Sequence, residues 1–456
     1  MSLHIPDNSA IIFKVPVAQS KVYIREQQGY FQRIRRGLNM LLMALFVGLP
    51  WISWHGKQAI LFDVGAQTLR VFSWVLYPQD LMIFVLLFSL AAFVLFFVTK
   101  KYGRIWCGFT CPQTVWTLMF NWVERRIEGS ANQSRLLDKQ PWSARKVAVK
   151  AAKHLVWGLA ASVTALVFMS YFYPARQLYI DMLTLSAPLL IPGWVAFFAL
   201  CTYVNAGWIR DKMCQHMCPY ARFQSVMFDA STKLVTYDHQ RGESRGPRKR
   251  GSNNFALGDC VDCSLCVQVC PVGIDIRNGL QYECINCGLC VDACNQVMNK
   301  FHYAPDLISF TALKPVKSWN IALLLYGAAI AVMLLGMWAW AATRMDFEIN
   351  IARDRQQLYR EHYSGDIENS FRINVLNKSE RTTTYHLSLL GLESARISDT
   401  VIEAVKPGEK REVAITVSTN VTTEGSRQHF DWIISNQNDG TTTQKEGVFI
   451  YPDGDK

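Results

Sequence analysis

Between Cys260 and Cys294 the chain reads CVDCSLCVQVCP, a spacer, and then CINCGLCVDACN. Each run places three cysteines at two-residue gaps and a fourth after a gap of three. Gaps that small turn three thiolates onto three corners of one iron–sulfur cube, so the fourth corner must be closed from elsewhere in the chain. In two-cluster ferredoxin spacing, the last cysteine of each run serves the other run's cluster. The pattern predicts two [4Fe–4S] clusters, one on Cys260, Cys263, Cys266 and Cys294, the other on Cys284, Cys287, Cys290 and Cys270. Paired CxxC units also build tetrahedral zinc sites, but two matching four-cysteine runs, the first followed by Pro271, exceed what zinc or a disulfide framework requires. Asn295 stands where the second run would carry proline, which affects the turn and not the ligand set.

The 456 residues suffice for two or three domains. Half are apolar, yet mean hydropathy is only +0.08, so a few very hydrophobic stretches must be diluted by polar ones. The 13 cysteines, eight of them in cluster spacing, imply a reducing compartment for that part. No cleavable secretory signal is visible, because the first thirty-odd residues are polar and basic.

Five stretches are apolar enough to cross a bilayer as helices: 38–54, 81–99, 155–173, 188–207 and 319–343. Lys14, Lys21, Arg25, Arg33, Arg35 and Arg36 precede the first, whereas Lys57 and Arg70 alone follow it. The 100–153 segment is again basic, the next loop carries only Arg176, and the cluster segment is basic too. This alternation places the N-terminus and clusters in the cytoplasm and, after five crossings, the C-terminal part outside. The formal charge of +11 is then mainly a topology signal and not a nucleic-acid footprint. The run RGPRKR at 245–250 reads as a solvated linker beside anionic headgroups.

The second and fourth spans each run into Cys-x3-Cys-Pro, as Cys107, Cys111, Pro112 and as Cys214, Cys218, Pro219, followed by an aromatic amphipathic segment. Two copies of one helical hairpin are the simplest explanation. On a helix, cysteines four apart face the same way and can share one soft metal, Cu(I) or zinc. The bland reading is a small buried hydrophobe at a helix end; its recurrence at equivalent positions favours function. His216 is a further candidate ligand, or an interfacial histidine bonded to backbone, and Cys201 reads as packing. His55 and His154 lie at unequal depths and do not make a haem pair, and Asp181 reads as solvated. Trp106, Trp116 and Trp122 could border a quinone, although interfacial tryptophans are ordinary. No Walker or dinucleotide glycine motif is present.

After Met345, seven stretches from FEINIAR to KEGVFIYP alternate apolar with polar residues, which predicts an immunoglobulin-like β-sandwich without a disulfide. The expected organisation is multidomain. A cytoplasmic segment (1–37) leads into a four-helix membrane domain carrying both Cys-x3-Cys-Pro motifs (38–230). A cytoplasmic two-cluster ferredoxin domain (231–318), a fifth transmembrane helix (319–343) and a periplasmic immunoglobulin-like domain (344–456) follow.

With WCGFTCPQ, CQHMCPY, the two-cluster segment and the outer sandwich in this order, the chain resembles the CcoG (FixG/RdxA) family of cytochrome c oxidase accessory proteins. The wider membrane polyferredoxins NapH and NosR share the cysteine repeat, but the outer sandwich and the lack of an N-terminal flavin domain favour CcoG. The resemblance implies a multi-pass protein of the bacterial inner membrane that assists maturation of cbb3-type cytochrome c oxidase by reducing Cu(II) to Cu(I). In that picture Cys107, Cys111, Cys214 and Cys218 hold or reduce copper, and the partners are oxidase subunits or copper chaperones and an electron donor. A quinol-linked conduit of the NapH type and a non-enzymatic assembly scaffold are the alternatives.

Overall fold

The computed structural model describes residues 21–248, 257–312, 321–354, 357–363, 365–420 and 426–452. Lys14, the end of the RGPRKR run and the first two residues of the 319–343 span lie outside them. The chain divides into two units, Met1–Met337 and Trp338–Lys456.

Within the first unit, helix α1 (Tyr30–Gly48) is followed by short strands between Ser53 and Leu76 and then by α2 (Leu81–Tyr102). Next come α3 (Ile105–Phe109), α4 (Pro112–Glu128), α5 (Ala131–Lys139), α6 (Ala144–Met169), α7 (Ala175–Leu183) and α8 (Leu190–Thr202). Two π-helical segments, Tyr203–Ile209 and Met213–Met217, lead from α8 into α9 (Pro219–Val226). Among the described residues four helical stretches are long and apolar enough to cross a membrane: Pro78–Tyr102, Ala144–Met169, Leu190–Ile209 and Ile321–Thr343. The expected first span, 38–54, is not among them. Its helix starts earlier, in the arginine-rich segment, stops at Gly48, and gives way to a 3-10 turn and strand Ser53–Trp54.

The sidedness of α1 explains this. Its buried residues are Gln32, Arg35 and Asn39, spaced along one face, whereas Met40, Leu41 and Leu45 point outward. At its start, Phe31 N and Gln32 N donate to the Asp292 carboxylate at 3.2 and 2.9 Å, supplying the cap that Gly29 has no side chain to provide. At its end, Phe46 O accepts from Tyr171 Oη at 2.8 Å, beyond the last turn of α6.

A buried ion network ties α4 to α6. The Glu128 carboxylate, with no side-chain exposure, meets Lys150 and Lys153 at 2.7 Å each, and Ser134 Oγ donates to it at 2.5 Å. Arg210 Nη2 meets Glu124 at 2.7 Å, and Lys21 bridges Glu124 and Asp138 at 2.9 and 3.0 Å. Burial alone would raise the Glu128 carboxyl, but the hydrogen bonds from Lys150, Lys153 and Ser134 hold it down to about 2. Its stabilisation is therefore complete above the ordinary value of 4.5 and is lost as pH falls from there toward 2. In thermal unfolding of detergent-solubilised protein, Glu128→Gln is expected to cost on the order of 3 kcal/mol at pH 7, the low end for a buried pair because Lys150 keeps some solvent contact. The gap between wild type and variant should close between pH 4.5 and 2; a gap independent of pH would contradict the network's charge state.

The ferredoxin segment is built from strand Leu234–Tyr237 paired with Ile308–Thr311, the short helices α10 (His239–Gly242) and α11 (Leu265–Gln268), and α12 (Leu289–Phe301). Asn286, between Cys284 and Cys287, docks it on α2, where Nδ2 donates to Tyr102 O at 2.9 Å, and within the segment Oδ1 accepts from Val235 N at 3.1 Å. Asn295 exchanges hydrogen bonds with Asp306 at 3.0 and 2.8 Å, so the residue in place of proline pins the turn after α12. Helix α13 (Ile321–Thr343) brings Tyr326 against Phe93 and Phe96 of α2.

In the second unit, two antiparallel sheets share one core. One has the strand order Arg396–Ile397, Lys410–Thr419, Ile367–Asn377, Phe347–Arg353; the other runs Val401–Val405, Thr383–Leu390, Arg427–Asn436, Thr442–Ile450. Phe371 of the first sheet meets Trp432 and Phe430 of the second at 5.4 and 5.9 Å between ring centroids. Alternation holds for all seven expected strands, except that ISDTVIEAV divides: Arg396–Ile397 pairs in one sheet and Val401–Val405 in the other. That chain switches sheets midway, and one run of alternation conceals the corner.

Candidate iron–sulfur and thiol site

Cys270, Cys284, Cys287 and Cys290 line one cavity together with Val272, Ile285 and Leu289, and Cys266 of the first run lines it too. Cys294 lies within electrostatic reach of Cys266, Cys260 and Cys263, all from the other run. Among the described residues no three His, Cys, Asp or Glu side chains converge on a single-ion site. Four sulfurs around a small apolar cavity instead fit a group larger than one ion, and softness suits thiolates to iron–sulfur chemistry. Burial and neighbouring sulfurs push Cys270 and Cys294 up to about 12, while burial pushes Cys284 to about 11. Backbone N–H groups of Val272 and Ile274 toward Cys270, and of Asn286 toward Cys284, act in the opposite direction. Cys263 reaches solvent, whereas Cys260, Cys266 and Cys287 are buried and the remaining four are partly buried.

The four membrane-face cysteines lie in one neighbourhood, although no three of them converge on a single-ion site among the described residues. Cys107 and Cys111 are each within electrostatic reach of Cys218, and Cys214 of Cys111, Cys107 and Cys218. Burial pushes all of Cys107, Cys111 and Cys214 upward, Cys214 to about 12. They do not get there as i, i+4 pairs on a continuous helix. Cys107 lies in α3 and Cys214 in the π-helical segment, but Cys111 and Cys218 both have extended backbone and precede a proline that opens the next helix. Proline at the first helical position tolerates the missing N–H, and its restriction of the preceding residue forces each cysteine out of the helix. The same device at both positions matches the repeat in sequence. The two copies meet directly: Cys107 Sγ donates to Gln224 Oε1 of α9 at 3.1 Å.

Cys107 is packed in one apolar cluster with Cys287, Cys270 and Cys284. The contact depends on Gly108, since a Cβ there would stand 2.6 Å from Ile285 O and 3.0 Å from Cys287 Cα. Arg104, 1 % exposed, faces Cys107, Cys111, Cys214 and Cys284, and its Nη1 donates to Tyr282 O at 2.7 Å. Tyr282 Oη in turn donates to Gln215 O at 2.5 Å, tying the spacer between the cysteine runs to the second motif. Gly108, Arg104, Asn286, Asp292 and Gln224 were not singled out in the sequence. Only Gly108, inside a cysteine motif, carried a local signal.

The remaining candidates are placed differently. His216 is exposed and joins no three-ligand group among the described residues. Cys201 is exposed on α8 and does not pack in a core. Asp181 is not solvated but buried, accepting from Tyr173 Oη at 2.9 Å and Gln177 Nε2 at 2.7 Å. His154 is held by Tyr203 Oη at 2.8 Å and stacks on Trp208, while His55 is exposed. Trp106 and Trp122 are exposed, and Trp116 Nε1 donates to Thr164 Oγ1 at 3.2 Å. A cavity of about 710 Å³ lies between α4, α6, the π-helical segments and the ferredoxin segment, with Arg104, Trp157, Trp208, Cys214 and Leu289 in its wall.

Fold and site define a membrane iron–sulfur protein with a C-terminal immunoglobulin-like unit. A family model described as a 4Fe-4S dicluster domain matches residues 209–313, and one described as the Ig-like fold at the C-terminus of FixG matches residues 337–452. The chain is 32 % identical over 448 residues to the nitrogen fixation protein FixG of Rhizobium meliloti, covering 88 % of this chain and 85 % of that one. It is also 32 % identical to the protein RdxA of Cereibacter sphaeroides, over 83 % of this chain and 84 % of that protein. A solved structure of a FixG-related protein from Vibrio parahaemolyticus aligns with 24 % of this chain and 97 % of its own, at 24 % identity and a TM-score of 0.22. The chain belongs to the FixG/RdxA family.

Proposed function

We propose that the protein reduces Cu(II) to Cu(I) at Cys107, Cys111, Cys214 and Cys218, and thereby assists maturation of a cbb3-type cytochrome c oxidase. The observation that carries this reading is the packing of Cys107 against the Cys270, Cys284 and Cys287 set through Gly108. Bound there, a [4Fe–4S] cluster supplies one electron at a time. Each Cu(II) takes one electron to become Cu(I), a soft ion that thiolates hold more readily than Cu(II). Gln224 keeps Cys107 in place, Arg104 lies beside the thiols, and Cys111 receives the N–H groups of Gln113 and Thr114 at the start of α4. Family membership supports the link to oxidase assembly.

For topology, the reading takes α1 as a fifth crossing. Its outward Met40, Leu41 and Leu45 suit lipid, its inward Gln32, Arg35 and Asn39 suit a protein interior, and its two ends meet Asp292 and Tyr171. The Lys and Arg bias then assigns the N-terminus and clusters to the cytoplasm and the immunoglobulin-like unit to the periplasm.

The cavity of about 710 Å³ favours a second reading, a quinol-linked conduit, since its size is that of a small-molecule site and Trp157 and Trp208 stand in its largely charged wall. One experiment separates the two. Protein reduced with dithionite, desalted anaerobically and mixed with Cu(II) is expected to yield about two Cu(I) per chain, one electron from each of two clusters. No Cu(I), together with re-oxidation by a quinone analogue, would replace copper reduction by the conduit.

A further inference from the structure

Arg35 is an unusual residue to bury. It lies on the inward face of α1, is 2 % exposed, and its Nε has no hydrogen-bond partner. The charged groups it faces are the sulfurs of Cys287 and Cys270, and among the described residues no carboxylate pairs with it. A guanidinium removed from water without a counter-charge costs several kcal/mol, so such a residue persists only where something anionic balances it. Arg104 stands on the same cluster side, also without a carboxylate ion pair among the described residues, with Cys284 in reach. Four thiolates around iron and sulfide carry net negative charge, and the potential of such a group responds to net charge, hydrogen bonds and solvent exposure.

The outer set is surrounded differently. Arg277 faces Cys266, but its charge is already met by Asp275, through Nε at 2.8 Å and Nη2 at 2.7 Å, and by Asp262 at 2.5 Å. Arg241, near Cys294, is paired with Asp259 at 2.6 Å. Solvent reaches the outer set at Cys263, although Cys260 and Cys266 are buried, and that access by itself favours reduction of the outer set. Arg35 and Arg104, which have no carboxylate ion pair among the described residues and also border the cavity of about 710 Å³, act in the opposite sense, and more strongly than paired guanidinium ions.

We propose that Arg35 is the counter-cation of the inner set, Cys270, Cys284, Cys287 and Cys290, and orders the two potentials so that electrons run from the exposed set inward. Arg35 is thus a positioning residue for electron flow, not a ligand. The direction fits the packing of Cys107 on the inner set and places the entry of electrons at the solvent-facing Cys263. The inference rests on the ligand sets of the proposed function, and iron content reports on those independently.

The test is an EPR-monitored redox titration of the full-length protein in detergent, with iron counted in each sample. Arg35→Gln is expected to keep about eight iron atoms per chain and to lower one midpoint only. The lowering should shift the reduced-to-oxidised ratio at fixed potential at least tenfold, about 59 mV for a one-electron couple. Arg35→Lys, which restores the charge, should return most of the shift. Full iron with both midpoints unchanged, or both shifted equally, overturns the proposal. Should Arg35→Gln fail to load iron, the wild type titrated beside Cys263→Ser still decides. The perturbed outer set must own the lower midpoint, and the reverse assignment refutes the ordering. Iron far below eight in the wild type would instead overturn the ligand sets themselves.

Discussion

Changing Cys107, Cys111, Cys214 and Cys218 together to serine is expected to reduce the rate of Cu(I) formation at least tenfold while leaving the iron content intact. Serine is close to isosteric with cysteine, so the apolar packing around α3 and α9 survives, but a neutral hydroxyl is a poor ligand for Cu(I). The eight ferredoxin cysteines are untouched, and Asn286 and Asp292 still dock their segment. Loss of all four thiol ligands costs Cu(I) more than about 1.4 kcal/mol of binding, which is the tenfold step. The rate is read with a Cu(I)-specific chromogenic chelator under anaerobic conditions, in the presence of excess reductant. Equal rates in variant and wild type would remove these thiols from the chemistry and leave reduction at the clusters' exposed edge.

The second large effect is expected at Gly108. Valine there brings a Cβ to 2.6 Å from Ile285 O and 3.0 Å from Cys287 Cα, both backbone atoms, so the α3 turn and the second cysteine run must separate. Overpacking of this kind costs about 1–3 kcal/mol in stability. The kinetic cost is larger, because the contact at Gly108 joins Cys107 to the inner set. Gly108→Val should therefore reduce normally with dithionite, as judged by bleaching of the visible absorption, yet pass electrons to Cu(II) at least tenfold more slowly. Normal transfer with the contact opened would mean that the packing of Cys107 is structural alone.

What could be read in the sequence follows the range of the interactions concerned. The clustering of the ferredoxin cysteines is legible because gaps of two and three residues constrain thiolates locally. Cys270 lies with the second run and Cys294 near the first, as that spacing suggests, while Cys266 also borders the cavity of the second run. Strands of the C-terminal unit were legible because one face is buried and the other wet, as in the alternating burial along Arg427–Asn436. α1 was misplaced because its polar residues turn inward; a reading by apolar runs starts at Leu38 and misses the eight helical residues before it. Cys-x3-Cys-Pro has the spacing of a helical pair, but its proline disfavours helix at the cysteine before it, and that local restriction decides the backbone. Asp181 looked solvated because its loop is short and polar, whereas Tyr173 and Gln177 enclose it. Contacts such as Gly108 with Cys287, or Asp292 capping α1, join distant parts of the chain and left no periodic trace.

The most direct measurement is EPR on one anaerobic sample of reduced, desalted protein, frozen before and shortly after addition of one equivalent of Cu(II). The reduced-cluster signal and the Cu(II) signal should diminish together, spin for spin, and the Cys107, Cys111, Cys214, Cys218 serine variant should retain both. A Cu(II) signal that persists beside intact reduced clusters in the wild-type protein would contradict copper reduction.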